Sequence, residues 1–150
     1  MTPVVAVLGA GDHEMAVCRK LLISVGIPYV EGTLVRDNRS EPAKPDTAYS
    51  VNDTFERVSL NNKHILRIEC DGPVFDGIEP ARITVIDHHR PGDPGYDAPA
   101  TDFVAGSTVG QLYSWIYQAR FQYDKDSECW KAVRADGLSW RVPLFDVVYP

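Results

Sequence analysis

The sequence predicts a single α/β domain whose sheet is mainly parallel, and two observations support this. Short, continuous apolar runs stand at Val4 to Leu8, Ile65 to Cys70 and Ile83 to Ile86, a pattern that is typical of buried parallel strands. A helical pattern follows the first run, so strand and helix signals alternate. Because 150 residues suit one hydrophobic core, we expect one three-layer domain over residues 1–150.

The first predicted unit is a strand, a turn and a helix. The strand from Val4 to Leu8 ends at the glycine turn Gly9 to Gly11, and apolar residues then recur at helical spacing from Met15 until Gly26. A second strand is expected to open at Ile27. Residues 36–62 are polar and rich in turn-forming residues, so we expect a long loop there.

The second half of the chain contains a further helix and a mixed tail. Apolar residues recur at helical spacing from Val109, and Ser107 or Thr108 is available as the N-cap. The pattern over 128–135 predicts another helix. A last strand is expected over 140–148, interrupted by a proline, within a tail over 141–150 that is otherwise irregular.

Composition and charge exclude several classes of protein. The chain is 44% hydrophobic and 24% charged, which excludes collagen-like, wholly disordered and coiled-coil proteins. A net charge of -6 argues against an extended nucleic-acid surface. No apolar run reaches the roughly 18 residues of a membrane span, and no basic segment precedes the first run, so we expect a cytoplasmic protein. Three widely spaced cysteines indicate neither a disulfide framework nor a structural zinc site.

Polar residues follow each of the three better strands. The glycine turn with Asp12 and Glu14 follows the first strand, Asp71 follows the second, and an Asp-His-His triplet at Asp87 follows the third. In an open α/β sheet the ligand crevice lies outside the carboxyl ends of the strands. We therefore expect these residues to converge in space.

The run from Ile83 to Arg90 delivers a carboxylate, two imidazoles and a guanidinium from a buried strand into a turn. Consecutive histidines alternate in direction, so one can ligate a metal while its neighbour faces a substrate oxygen. With a small-residue turn over 104–112 and the strand from Ile65 to Asp71, this run resembles the DHH family of phosphoesterases. That family places the triplet at a strand end, then a loop, then a small-residue turn that opens a helix.

The resemblance implies a two-metal hydrolytic site, with Mn²⁺ or Mg²⁺ held by carboxylates and imidazole. Asp71 would bridge the two ions and Asp87 would orient a histidine. The implied metal ligands are Asp12, Glu14, Asp71, His88 and Asp136. The implied catalytic residues are Asp87, His88, His89 and Arg90, and those implied to bind substrate are Gly106, Ser107 and Thr108.

The sequence also departs from the family at its first motif, His-x-x-x-Asp-x-Asp. Leu8 stands at the histidine position, and Glu14 stands at the second aspartate. We also expect no second domain to close over the ligand, so that a homo-oligomer, or the substrate's own contacts, would have to cover an open site. Gly9 and Gly11 alone are a weak sign of dinucleotide binding because the third glycine is missing.

These observations leave three hypotheses for function. The first is a metal-dependent phosphoesterase that hydrolyses a phosphoester or phosphoanhydride in a small phosphorylated molecule or a nucleotide. The second is a catalytically degenerate DHH-like domain that binds a nucleotide or a metal in a regulatory or sequestering role. The third is a structural protein that keeps only the fold, which the number of retained candidate ligands disfavours.

Overall fold

A computed structural model of the chain describes residues 2–55, 59–99 and 101–142. In these residues six strands form one sheet in the order β3-β2-β1-β5-β6, with β4 paired to β2. The strands are β1 (Val4–Leu8), β2 (Tyr29–Arg36), β3 (Arg39–Pro42), β4 (Asp53–Thr54), β5 (His64–Ile68) and β6 (Ile83–Ile86). The architecture is therefore α/β with a mostly parallel sheet.

The parallel strands β1, β5 and β6 end at the same level of the sheet. Leu8 is paired with Ile68, and Ile68 is paired with Ile86. The residue that follows each strand therefore lies beside the residues that follow its neighbours. The expected convergence of the strand ends is confirmed for these three strands.

Three helices position the rest of the site: α1 (His13–Val25), α2 (Phe103–Gly106) and α3 (Thr108–Ile116). Asp12 caps α1 by accepting a hydrogen bond from the backbone N–H of Met15, and α1 ends at Gly26 in the left-handed conformation. Ser107 caps α3, as the sequence predicts. Within the described residues, each helix is too short or too polar to cross a bilayer.

Strand β1 is buried on both faces, which explains its continuous apolar sequence. Val4, Ala6 and Leu8 pack with α1 and α3, whereas Val5 and Val7 belong to a second cluster on the opposite face. Loop and turn residues complete that second cluster, among them Ala43, Ala48, Val51, Leu60, Cys70 and Phe75. One face of the sheet is thus covered by helices, and the other by segments with little regular structure.

A separate antiparallel sheet of β7 (Arg120–Asp124), β8 (Cys129–Val133) and β9 (Ser139–Arg141) packs beside the helices. The prediction of a helix over 128–135 is wrong, because β8 pairs with a strand on each side. The indole N–H of Trp140 donates to the Val25 carbonyl at 2.9 Å. Of the expected strand over 140–148, residues 140–142 are described and β9 ends at Arg141, while residues 143–150 of the expected tail lie outside the described residues.

The expected polar loop over 36–62 is also wrong in part, because it contains β3 and β4. Strands β2 and β3 form a hairpin in which Arg36 pairs with Arg39. The two turn residues, Asp37 and Asn38, have φ values of 52° and 62°, and such left-handed pairs match the twist of a two-residue hairpin. Residues 56–58 lie outside the described residues.

Gly9 and Gly11 offer a matched test of how closely the chain packs at the end of β1. A Cβ on Gly9 would collide with the carbonyl oxygen of Glu69, whereas a Cβ on Gly11 meets no atom within 4 Å. We expect Gly9→Ala to lower the free energy of unfolding by about 2–3 kcal/mol, because the strand ends must move apart. Gly11→Ala should change it by less than about 0.5 kcal/mol. Urea unfolding of both variants measures this, and equal stabilities would contradict it.

Candidate functional site

The carboxylate of Asp87 organises the turn that follows β6. It is 1% exposed, and its Oδ2 accepts a hydrogen bond from the Tyr49 hydroxyl at 2.8 Å. Its Oδ1 accepts from the backbone N–H groups of His88 at 2.8 Å and His89 at 3.2 Å. The same oxygen lies 2.7 Å from Nδ1 of His89. Asp87 therefore fixes the His89 ring and leaves its Nε2 free of this contact.

The backbone of Asp87 is held by the side chain of Gln111 in α3. The Gln111 Oε1 accepts from the Asp87 N–H at 3.1 Å, and its Nε2 donates to the carbonyls of Asp87 and Ala105, each at 2.9 Å. The N–H of Gly95 donates to the same Asp87 carbonyl at 3.2 Å. These hydrogen bonds hold the Asp-His-His triplet against the junction between α2 and α3.

Glu69 is the first residue after β5, and its side chain lies beside the triplet. Its backbone has a φ of 51°, and it is only 6% exposed. Its Oε1 lies 3.2 Å from Nδ1 of His89, while its Oε2 is buried without a hydrogen-bond partner. Burial raises the pKa of Glu69 to about 7, against the attraction of His89.

A cleft of about 110 Å³ opens over this carboxylate. It is lined by Ala10, Asp12, Pro45, Ala48, Tyr49, Glu69 and His89. The Asp12 charge contributes to the raised pKa of Glu69. The unpartnered carboxylate oxygen therefore belongs to a side chain that faces a small space open to a ligand.

Glu69, His88 and His89 form a group that has the composition of a metal site. One ligand atom from each lies within 4.8 Å of the others, and the two imidazole rings are 4.4 Å apart at their centroids. A carboxylate and two imidazoles suit a divalent cation, and the unpartnered oxygen of Glu69 is the kind of donor that a cation would satisfy. The donor set therefore fits a bound divalent ion.

Glu14 connects this group to the start of α3. Its Oε1 accepts from the N–H of Thr108 at 3.0 Å and lies 3.4 Å from Nε2 of His88. The hydroxyl of Ser107 serves as the helix cap, and Gly106 closes the preceding turn of helix. The residues predicted to bind substrate thus lie near the triplet, although the N–H of Thr108 already has a carboxylate partner.

Asp71, predicted to bridge two metal ions, is paired with arginines instead. Its Oδ1 accepts from Arg67 and its Oδ2 from Arg90, each at 3.0 Å. The Arg90 guanidinium also lies 4.0 Å above the Tyr49 ring. Burial alone would raise the pKa of Asp71, but the hydrogen bond from Arg90 and further donors hold it below its usual value. The structure therefore gives Asp71 a role in holding Arg90, which departs from the predicted bridge.

Asp136, predicted as a further metal ligand, lies at the other end of the sheet. Its carboxylate accepts from the Arg134 guanidinium at 3.1 Å. Nearby Leu138 forms a parallel bridge with Thr2, which precedes β1. The five residues of β1 span roughly 16 Å between this end and the triplet. Asp136 lies away from the triplet because residues 134–138 form the turn between β8 and β9.

Sequence reasoning missed three residues of this site: Glu69, Tyr49 and Gln111. Glu69 could have been found, because it directly follows β5, which ends at Ile68, but the apolar pattern predicts a strand to Cys70 and so points to Asp71. Tyr49 lies in a polar segment without a regular pattern, and Gln111 lies within a helix, so neither gives a signal.

Comparisons of the chain with protein-family models, with curated proteins and with solved structures found no match.

The buried carboxylate of Glu69 should affect stability in a pH-dependent way in metal-free protein. Its folded pKa of about 7 exceeds the ordinary value of 4.5, so the folded chain binds this proton more tightly than the unfolded chain. The contribution of this bound proton to the free energy of unfolding is complete below pH 4.5. It is lost as the pH rises to about 7. We expect Glu69→Gln, which cannot ionise, to avoid this loss of up to about 3 kcal/mol.

Urea unfolding at pH 5 and pH 8 in the presence of a chelator measures this effect. The gain of Glu69→Gln over the original chain should be larger at pH 8 than at pH 5. Glu79→Gln is the control, because Glu79 is exposed. Parallel pH dependence in all three proteins would contradict the prediction.

Proposed function

We propose that this chain is a DHH-like, three-layer α/β domain that acts as a metal-dependent phosphoesterase. In this proposal it hydrolyses a phosphoester or phosphoanhydride in a small phosphorylated molecule or a nucleotide. The observation that carries the proposal is the meeting of Glu69, His88 and His89 within 4.8 Å, just beyond the aligned ends of β5 and β6. Sites for ligands in α/β sheets lie at these strand ends.

A divalent ion held by these three residues would act as a Lewis acid on a phosphoryl oxygen. The other contributions come from the chain itself. Asp87 holds the ring of His89 in one orientation through a 2.7 Å contact. Tyr49 and Pro45 form part of the cleft lining, and Arg90, which is paired with Asp71, lies over the Tyr49 ring.

The dimensions of the cleft support a small reacting group. Its volume of about 110 Å³ is small, which is consistent with the binding of one phosphoryl group. The remainder of a larger substrate would lie outside the cleft. This is consistent with a small phosphorylated molecule, or with the terminal phosphate of a nucleotide.

A second candidate function is binding of a metal or nucleotide without turnover. The pairing of Asp71 with Arg67 and Arg90 favours it, because the resemblance assigns Asp71 the bridge between two ions. The position of Asp136 at the opposite end of the sheet favours it also. In this alternative the domain regulates or sequesters its ligand.

A phosphatase assay with metal-stripped protein tests the first candidate. We expect release of phosphate from p-nitrophenyl phosphate or a nucleotide only when Mn²⁺ or another divalent ion is restored. His88→Ala should lower this activity at least about 100-fold, because an inner ligand should matter at least as much as its supporting residues. His13→Ala is the matched control, since His13 is exposed at the start of α1.

Calorimetry on the same proteins separates the two candidates. Metal binding without phosphate release across phosphomonoesters, phosphodiesters and nucleotides would favour the second candidate. Full activity of His88→Ala would contradict the first candidate. An absence of metal binding in the original chain would contradict both candidates in their metal-dependent form.

A further inference from the structure

We propose that the group formed by Glu69, His88 and His89 binds a single ion of the zinc, cobalt or iron(II) class in preference to Mg²⁺. Glu69 takes the place that the resemblance gives to Asp71. This inference rests on the metal site of the proposed function but not on phosphate hydrolysis. The resemblance implies two ions of Mn²⁺ or Mg²⁺, whereas this inference gives one ion of a different chemical class.

The donor types carry the argument about the class of ion. Two of the three side chains that meet within 4.8 Å are imidazoles, and the third is a carboxylate. Mg²⁺ prefers oxygen ligands, keeps several waters and is seldom enclosed by imidazoles. Imidazole suits zinc, iron, nickel and copper, and two histidines with one carboxylate are a recurrent set for iron(II) and zinc.

The unpartnered oxygen of Glu69 indicates which carboxylate binds the metal ion. Its Oε2 is buried and has no hydrogen-bond partner among the described residues, in a side chain that is only 7% exposed. A buried carboxylate oxygen without a partner is costly. A cation beside His88 and His89 would satisfy it, and the cleft over Glu69 provides access.

The hydrogen bonds to Asp71 and Asp87 favour one ion over a pair. Asp71 uses both oxygens for Arg67 and Arg90. Asp87 uses both oxygens for Tyr49 and the histidine turn. Each of these two carboxylates is thus already compensated by donors, which leaves neither with an unpaired oxygen for a bridge between two ions.

Glu14 is placed to complete the coordination of that ion. Its Oε1 lies 3.4 Å from Nε2 of His88, in addition to its contact with the N–H of Thr108. Asp87 contacts Nδ1 of His89 and so orients the imidazole ring. A ring held in this way can bind a metal ion from only a few directions. A fixed set with three or four protein ligands suits a transition metal better than the six oxygens of Mg²⁺.

The test is a Co²⁺ titration of the metal-stripped full chain without a histidine tag. We expect one Co²⁺ per chain, with a visible absorption band of the intensity seen for four or five ligands. One equivalent of Zn²⁺ should abolish the band, whereas a 100-fold excess of Mg²⁺ should not. A stoichiometry of two, or displacement of Co²⁺ by Mg²⁺, would overturn the inference.

Three variants test the assignment of the carboxylate. Glu69→Gln should weaken Co²⁺ binding at least about 100-fold, and Glu69→Asp should retain binding with a shifted band. Asp71→Asn should bind within about threefold of the original chain. Circular dichroism confirms folding of each variant, and the Glu69→Asp spectrum provides the test if Glu69→Gln does not fold. Loss of Co²⁺ binding in Asp71→Asn with binding retained in Glu69→Gln would overturn the inference.

The failure of this inference and that of the proposed function give different results. A chain that binds one Co²⁺ as described but releases no phosphate supports the inference and contradicts the phosphoesterase function. A chain that releases phosphate with two ions, and loses both binding and activity in Asp71→Asn, supports the phosphoesterase function and overturns the inference.

Discussion

The site depends first on the hydrogen bonds that surround the buried carboxylate of Asp87. A buried charge is tolerated only when donors replace the lost water, and here they come from two different parts of the chain. Tyr49 donates from the segment that covers one face of the sheet, while His88 and His89 donate from the turn after β6. One carboxylate thereby joins the lining of the cleft to the two histidines of the candidate metal site.

The aligned ends of the parallel strands bring the residues of the site to one edge of the sheet. Leu8, Ile68 and Ile86 stand in register, so the residues that follow them meet at one edge. The residue after β1 is Gly9, whose missing Cβ leaves room for the backbone of Glu69. The close approach of the ends of β1 and β5 therefore depends on a glycine at position 9.

Sequence patterns predict the parts of this fold that depend on local periodicity. Strand β6 and the capped helix α3 have the predicted places, because their apolar spacing and N-cap are local features. The exact end of β5 is not such a feature, and the choice between Glu69 and Asp71 depended on it. The position of Asp136 is not a local feature either, since it follows from the pairing of β8 with β9 rather than from spacing.

Glu69 and Asp71 have different electrostatic surroundings at this edge of the sheet. Only two residues apart, the two carboxylates have opposite surroundings: arginines hold the pKa of Asp71 below its usual value, whereas burial raises that of Glu69 to about 7. The pairs of Asp71 are partly exposed and so contribute little to stability, but they keep Arg90 paired beside Tyr49. Of the two, Glu69 is the carboxylate with a buried oxygen that has no hydrogen-bond partner. Under the proposed assignment the metal ion satisfies this oxygen, and its binding favours the deprotonated form of Glu69, because ligand deprotonation and cation binding are coupled.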